Sequence, residues 1–377
     1  MHIAISAHFW GQPTTGSGQY LHRLVETFIQ KHPHVRLTLI ADTFAAGRAS
    51  PPDGVGWHVA RTPFDRKKNL AKLWFEQVAV PRAARRVGAE LLHVPYFAPP
   101  LFSRLPVVVT IHDLIPMMLP AYRGRLLVRL YTALVGRAAR RANYILADSQ
   151  ATRRDILHLL RVPPKRVQTV YLAASESFGP PSPTTIAAIR QRFNLPDHFA
   201  LYLGGFDIRK NVPQLLKALA KSPGRWPLVI AGKLPADDTS FTPDPRRLVK
   251  ELGLEERVRF TGWIEEEDKA PLLAAASLFV FPSIYEGFGL PILEAMACGT
   301  ATLTTHVSSL PELAGDAAAL IPPNDVEALC AAMEYLMTDD GARAALATRT
   351  SAQASRFSWP RCANETLAVY QLSTSKD

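Results

Sequence analysis

Cysteine is scarce. Cys298, Cys330 and Cys362 are the three cysteines in 377 residues, far apart and with no Cys-x-x-Cys unit. An odd, dispersed set fits free thiols in a reducing cytosol rather than a disulfide framework. Long apolar runs are also missing. None approaches the roughly 20 residues that a membrane-spanning helix needs. The opening residues, Met1 to Ala7, lack a basic region followed by a long apolar segment, so they read as a first strand and not a signal peptide. Acidic pairs of the Asp-x-Asp type are absent from the two acidic clusters, Asp237-Asp238 and Glu265–Asp268, and no essential metal is expected.

Acid is scarce in one half only. Residues 1–177 hold 24 Lys and Arg against 10 Asp and Glu, whereas residues 178–377 hold 19 against 23. The basic half predicts an anionic partner. A phosphate-bearing lipid at a membrane surface and a nucleic acid both suit that charge, and composition does not choose between them. The remainder is ordinary: 47% hydrophobic and 20% charged residues describe a globular chain long enough for two domains.

Strand-like and helix-like patterns alternate throughout, which predicts α/β layers with parallel sheets. Candidate strands include His2–Ala7, Val35–Ala41, Glu90–Val94 and Val107–Asp113 in the first half, and Ala200–Leu203, Leu228–Ala231, Val258–Thr261 and Leu278–Phe281 in the second. Residues 44–56 read as a loop. The basic stretch Arg66–Arg86 reads as helical, with Pro81 expected to kink or divide it. Ser177 to Pro183 holds three prolines, a glycine and two serines, a composition suited to a linker. The expected domains are therefore 1–177 and 178–357, with a last helix over 358–377.

One stretch organises the rest, Ser283-Ile-Tyr-Glu-Gly-Phe-Gly-Leu-Pro-Ile-Leu-Glu-Ala-Met-Ala-Cys-Gly-Thr300. A buried strand precedes it, Gly287 and Gly289 turn the chain, and Pro291 suits the first turn of a helix that Gly299 stops. Strand, glycine turn and helix start make an anion site, with the amides of Phe288, Gly289 and Leu290 aimed at negative charge. Glu286 before the helix and Glu294 within it bracket the turn. Eight residues of pure helix would separate them by about 12 Å. Each carboxylate can accept from a vicinal diol, Glu286 from a sugar and Glu294 from a ribose. Cys298 within this stretch reads as small-residue packing.

Other candidates lie at strand ends, where open α/β sheets place their ligands. His112 and Asp113 are the polar end of the strand Val107–Asp113. The loop Gly16-Ser-Gly18 opens the first helix without forming Gly-x-Gly-x-x-Gly, so the dinucleotide fingerprint is absent. In the second half, Gly205, Arg209 and Lys210 follow a strand. Arg offers a planar fork to phosphate oxygens and Lys a mobile point charge. Such neighbours repel unless an anion or an acid lies between them. Residues 257–264, with Gly262, are candidates for holding a base by backbone groups, and Trp263 reads as packing.

The stretch Glu-Gly-Phe-Gly-Leu-Pro-x-Leu-Glu-Ala-Met-Ala-Cys-Gly resembles the Glu-x7-Glu motif of retaining glycosyltransferases of the family 4 type. The Gly16–Gly18 loop, the Thr-x-His-Asp context of His112 and the segment Gly-x-x-x-Arg-Lys-Asn at 205–211 resemble other parts of that family in the same order. The resemblance implies a GT-B architecture, two Rossmann-like domains facing across a cleft, with the final helix returning to the first domain. It implies transfer of a hexose, mannose, glucose or similar, from a GDP- or UDP-linked donor to a glycan or lipid-linked saccharide. His112, Glu286, Arg209 and Lys210 would be catalytic. Gly16, Gly18, Gly205, Arg209, Lys210, Gly262, Phe288, Gly289, Leu290 and Glu294 would hold the donor. No cofactor beyond the donor and no nucleic acid are expected. The expected location is the cytoplasm, with the anionic inner face of the cytoplasmic membrane as a candidate docking surface. A nucleotide-sugar epimerase of the same architecture and a non-catalytic sugar-nucleotide-binding protein are the alternatives.

Overall fold

A computed structural model describes residues 1–64 and 67–375. Arg66, the first residue of the expected basic helix, lies outside the described residues. The chain forms two compact units, one running from Met1 to Leu172 and rejoined by the segment from Ser358 on, the other Ala173–Phe357. The break falls a few residues ahead of the proline-rich stretch. Ser182 there caps a helix, Pro183–Arg192, that sequence reading missed, and Pro183 itself opens it.

The first unit is a sheet of seven parallel strands: β1 (His2–Ser6), β2 (Arg36–Ala41), β3 (Gly56–Val59), β4 (Leu91–Val94), β5 (Val107–Ile111), β6 (Tyr144–Ala147) and β7 (Val167–Thr169). Their order is β3-β2-β1-β4-β5-β6-β7. The second unit holds six parallel strands: β8 (Ala200–Leu203), β9 (Leu228–Ala231), β10 (Val258–Gly262), β11 (Leu278–Phe281), β12 (Thr302–Thr305) and β13 (Ala318–Ile321). Their order is β10-β9-β8-β11-β12-β13. Both sheets are doubly wound. The order reverses between β1 and β4 in one, and between β8 and β11 in the other, so a crevice opens at the carboxyl ends of those strands.

The central strands are buried runs such as Val107–Ile111 and Leu278–Phe281, as a sheet covered on both faces requires. β3 is different. It is a half-buried edge strand with a glycine start, which is why sequence reading passed over it. Pro81 does not break its helix. The helix Lys68–Trp74 runs through a π-helical segment, Phe75–Ala79, into the helix Val80–Arg86. The Val80 amide bonds back to the Phe75 carbonyl, so the missing amide of Pro81 is absorbed by the wider turn.

The C-terminal helix Trp359–Thr374 packs in the first unit. A buried polar chain fixes it. The Tyr370 hydroxyl lies 2.7 Å from His93 Nδ1, His93 Nε2 lies 2.9 Å from Thr110 Oγ1, and that hydroxyl lies 3.0 Å from the Tyr20 hydroxyl. Burial drives the His93 pKa down to about 3, with the charge of His112 adding to it, so the imidazole is neutral and joins its partners as one donor and one acceptor.

Candidate active site

The second unit brings three of the expected residues onto one another. The loop after β8 carries Arg209 and Lys210 on a single 3-10 turn, Ile208–Lys210, closed by Asn211 in the left-handed region at φ 61°. Asn tolerates that conformation, and its amide donates to the Pro282 carbonyl at 3.2 Å, tying this loop to the one after β11. The Ile284 amide bonds the Arg209 carbonyl at 2.9 Å and completes the join.

Glu286 then lies between the two cations. Arg209 Nη1 donates to Oε2 at 2.5 Å, and Lys210 Nζ donates to Oε1 at 2.7 Å. All three are largely buried. Burial pushes the Glu286 carboxyl up, but the Lys210 and Arg209 charges outweigh it and hold the group below the ordinary range. Burial also lowers Lys210, against the pull of Glu286. The Lys210 ammonium stands 4.7 Å from the centre of the Phe281 ring, a cation–π contact. Asp207, not singled out from sequence, pairs with Arg209 Nε at 3.4 Å. The backbone of Glu286 is held by two serines that sequence reading also missed. Its amide donates to Ser308 Oγ at 2.9 Å, and Ser309 Oγ donates to its carbonyl at 3.0 Å. Nothing in the spacing of the Ser308-Ser309 pair marks it.

The span from Glu286 to Glu294 is not all helix. The chain bends through Gly287 and Phe288, and the helix covers Leu290–Ala297 with Gly289 as its N-cap at φ 114°. The 12 Å estimate for a pure helix therefore does not apply. Only glycine fits at 289, because of that φ and because a Cβ would meet Leu310 Cδ2 at 2.8 Å. The Phe288 side chain packs edge-on against Phe357, leaving its backbone as the candidate donor group. Glu294 is buried, and burial drives its carboxyl up to about 7, with Lys269 lowering and Glu266 raising it. Among the described residues no hydrogen bond to its carboxylate is present. Such a group is kept for a partner or stays protonated.

Gly205 accepts at its carbonyl from the Tyr202 hydroxyl, and Gly262 ends β10 at φ 74° with its carbonyl bonded by the Gly232 amide at 2.8 Å. These glycines bring the ends of β8, β9 and β10 together. Trp263 is 49% exposed, so it does not pack as expected. Asp268, at the end of the acidic cluster Glu265–Asp268, is buried and paired with Arg192 at 2.7 Å. Cys298 is buried, which pushes its thiol up to about 12 and leaves it unreactive.

In the first unit, His112 follows β5. Its Nδ1 lies 2.6 Å from Asp148 Oδ2 and its Nε2 lies 3.1 Å from the Pro95 carbonyl. Both partners are acceptors, so the imidazolium satisfies both. Burial lowers the His112 pKa, yet the Asp148 charge and hydrogen bond overcome it and the net direction is upward. Asp148 follows β6, and the strand-end argument that found His112 reaches it too. Asp113 lies just before the short helix Ile115–Met118 and accepts from the Ile115 amide at 3.0 Å. Gly16 is the first residue of its helix and has open space where a Cβ would stand. Gly18 is required by the protein itself, since a Cβ there would lie 2.0 Å from the Gln12 carbonyl oxygen.

Two doubly wound parallel-sheet units, each with polar residues gathered beyond its strand ends, define a GT-B architecture. Residues 14–175 match the family described as Glycosyltransferase Family 4, and residues 186–353 match Glycosyl transferases group 1. The "O-antigen chain mannosyltransferase B" of Escherichia coli is 37% identical over 270 residues, covering 70% of this chain and 70% of that protein. The "Serotype-specific mannosyltransferase WbdA" of Escherichia coli is 34% identical over 265 residues, 68% of this chain but only 32% of that protein. The sucrose-phosphate synthase structure from Thermosynechococcus elongatus covers 99% of this chain and is itself covered over 98%, with a TM-score of 0.80 at 23% identity, a likeness of fold. The chain belongs to the group 1, family 4 type of glycosyltransferases.

Proposed function

We propose that this glycosyltransferase moves a hexose, with mannose as the first candidate, from a nucleotide diphosphate sugar to a glycan or lipid-linked saccharide, retaining the anomeric configuration. Two relatives that carry mannosyltransferase in their names support the choice of sugar. One structural observation carries the chemistry: a buried carboxylate, Glu286, held between Arg209 and Lys210 just before the helix Leu290–Ala297.

Departure of a nucleoside diphosphate builds negative charge. Arg209, Lys210 and the amides at Gly289 and Leu290 are assigned to that charge, as preorganised groups that need no reorientation at the moment of reaction. Glu286 is assigned two tasks. It supplies the counter-charge that keeps the cations in place, and it accepts from the sugar hydroxyls with lone pairs the cations leave. Glu294 is assigned to the ribose diol. His112, fixed as an imidazolium by Asp148 and the Pro95 carbonyl, is assigned to the sugar from the first unit. The departing phosphate helps remove the acceptor proton in a front-side displacement, with no metal ion in the scheme.

A thermal-shift panel of GDP, UDP and their sugar conjugates tests the donor, since a specific ligand stabilises by mass action. The expected result is a shift with GDP and GDP-mannose, together with transfer of mannose to a saccharide acceptor. Epimer formation or binding without transfer would reject the proposal in favour of the alternatives named above.

A further inference from the structure

Among the described residues, serine and threonine helix caps are local with one exception. Thr15, Ser149, Ser182 and Ser358 stand at N-caps, and each side chain accepts from an amide in the first turn of its own helix. Ser309 stands at the same position before the helix Leu310–Ala314 and makes no such bond. Its hydroxyl reaches back along the chain instead. It donates to the Glu286 carbonyl at 3.0 Å and to the Phe288 carbonyl. A hydroxyl carries one proton, so the two carbonyls share it. Ser309 is fully buried.

Neighbouring hydroxyls act on the same segment. Thr304 Oγ1 donates to the Phe281 carbonyl at 2.7 Å, and Thr305 Oγ1 donates to the Ser283 carbonyl. Ser308 Oγ accepts from the Glu286 amide at 2.9 Å. Ser308 itself lies in the left-handed region at φ 47°, a strained place for serine that persists only where its surroundings hold it. The chain from Phe281 to Phe288 is thus fastened through its backbone to β12 and the loop after it. Its side chains are left for other tasks.

The direction of these bonds matters. No described peptide is cis, and in a trans peptide the C=O and N–H point opposite ways. With the Phe288 carbonyl turned in toward Ser309, the Gly289 N–H points away from that buried hydroxyl. Among the described residues the Gly289 and Leu290 amides have no acceptor. Both open the helix Leu290–Ala297, whose dipole favours an anion there. Leu310, next to Ser309, closes on the Cα of Gly289, since a Cβ there would meet its Cδ2 at 2.8 Å.

We propose that Ser309 is a positioning residue for the donor diphosphate. By holding the Phe288 carbonyl inward it aims the Gly289 amide at the phosphate oxygens, and by holding the Glu286 carbonyl it keeps the carboxylate of that residue between Arg209 and Lys210. This inference rests on the reading of the turn as the diphosphate site.

Titration calorimetry of the full chain with GDP, UDP, guanosine and uridine tests the two apart. Ser309→Ala is expected to weaken GDP or UDP, whichever the parent binds, by about tenfold, the loss of one hydrogen bond to a charged group. Affinity for the matching nucleoside, which carries no phosphate, should be unchanged. Ser309→Cys fills the same buried space with a weak donor and should show the same selective loss. It carries the test if the alanine variant does not fold. Equal losses for nucleoside and diphosphate would make Ser309 a brace of the fold alone and overturn the proposal. So would parent-like diphosphate affinity in both variants. A parent that binds neither GDP nor UDP would remove the diphosphate reading of the turn, and this inference with it.

Discussion

Lys210 Nζ donates to Glu286 Oε1 at 2.7 Å and so joins the loop after β8 to the turn after β11. Arg209 occupies the other carboxylate oxygen. Two adjacent cations repel, and in a buried setting the repulsion is poorly screened. Glu286 is the acid that makes their proximity tenable.

Removing that acid should therefore have two effects. Glu286→Ala leaves two buried cations without their counter-ion and is expected to destabilise the fold by about 3–5 kcal/mol. Turnover should collapse, while GDP or UDP binding persists and restores more thermal stability than it adds to the parent. Urea denaturation with and without nucleotide checks this. A parent-like midpoint and parent-like transfer would discard the cluster as a site.

Arg209→Ala and Lys210→Ala are each expected to cost about 2–4 kcal/mol of transition-state stabilisation, by analogy with loss of one oxyanion donor. Because both touch one carboxylate and face one diphosphate, the double variant should lose less than the sum. Values of kcat/KM for the four proteins decide it. Strict additivity would mean that the two act separately.

Glu294 should impose a pH dependence on stability. Its carboxyl ionises near 4.5 in the unfolded chain and at about 7 in the fold, so the folded protein binds the extra proton between those values. The contribution is fully present below about pH 4.5 and is lost as pH rises through about 7, amounting to roughly 3 kcal/mol. Glu294→Gln should flatten the urea midpoint between pH 5 and pH 8. Nucleotide affinity in the parent should rise over the same window, as the carboxylate becomes the better acceptor for a ribose diol. A parent midpoint that does not fall with pH would refute the assignment.

His112 carries the opposite kind of group with the same sign of slope. Its folded pKa lies above the ordinary 6.5, so its contribution is complete below that value and is lost as pH rises through the folded one. Asp148→Asn removes the charge that overcomes burial. The imidazole should then titrate below the ordinary value, and the limb of the kcat profile that follows it should move to lower pH. Histidine ring resonances followed by NMR report the shift, and an unmoved titration would deny Asp148 this role.

Tyr370→Phe deletes the hydroxyl facing His93 Nδ1 inside the core. A loss of about 1–3 kcal/mol is expected for the buried nitrogen left without its partner. Amide exchange in the helix Trp359–Thr374 should quicken before the sheet does. Uniform protection along the chain would show that this bond does not anchor the helix.

The alternation of buried strands and amphipathic helices is a local property, and it was legible because each central strand is a run of apolar residues between polar turns. β3 was not legible, since a half-buried edge strand has neither a buried run nor a clean alternation. The helix Pro183–Arg192 was hidden by the prolines around it, although Pro183 is at the one helical position that suits proline.

For the site, the sequence by itself determined which chemistry was present: two carboxylates around a glycine turn, an Arg-Lys pair after one strand and a histidine after another. Strand ends in a doubly wound sheet gather such residues, and a strand pattern is enough to locate them. Only the tertiary structure decided who meets whom. It placed Glu286 between Arg209 and Lys210, set Asp148 on His112, withdrew Glu294 from water so that burial raises its pKa, and left Leu126, Leu127 and Leu130 exposed. Pairing depends on the order of strands across the sheet and on how deeply each charge is withdrawn from water. Neither quantity is written in the spacing of residues along the chain.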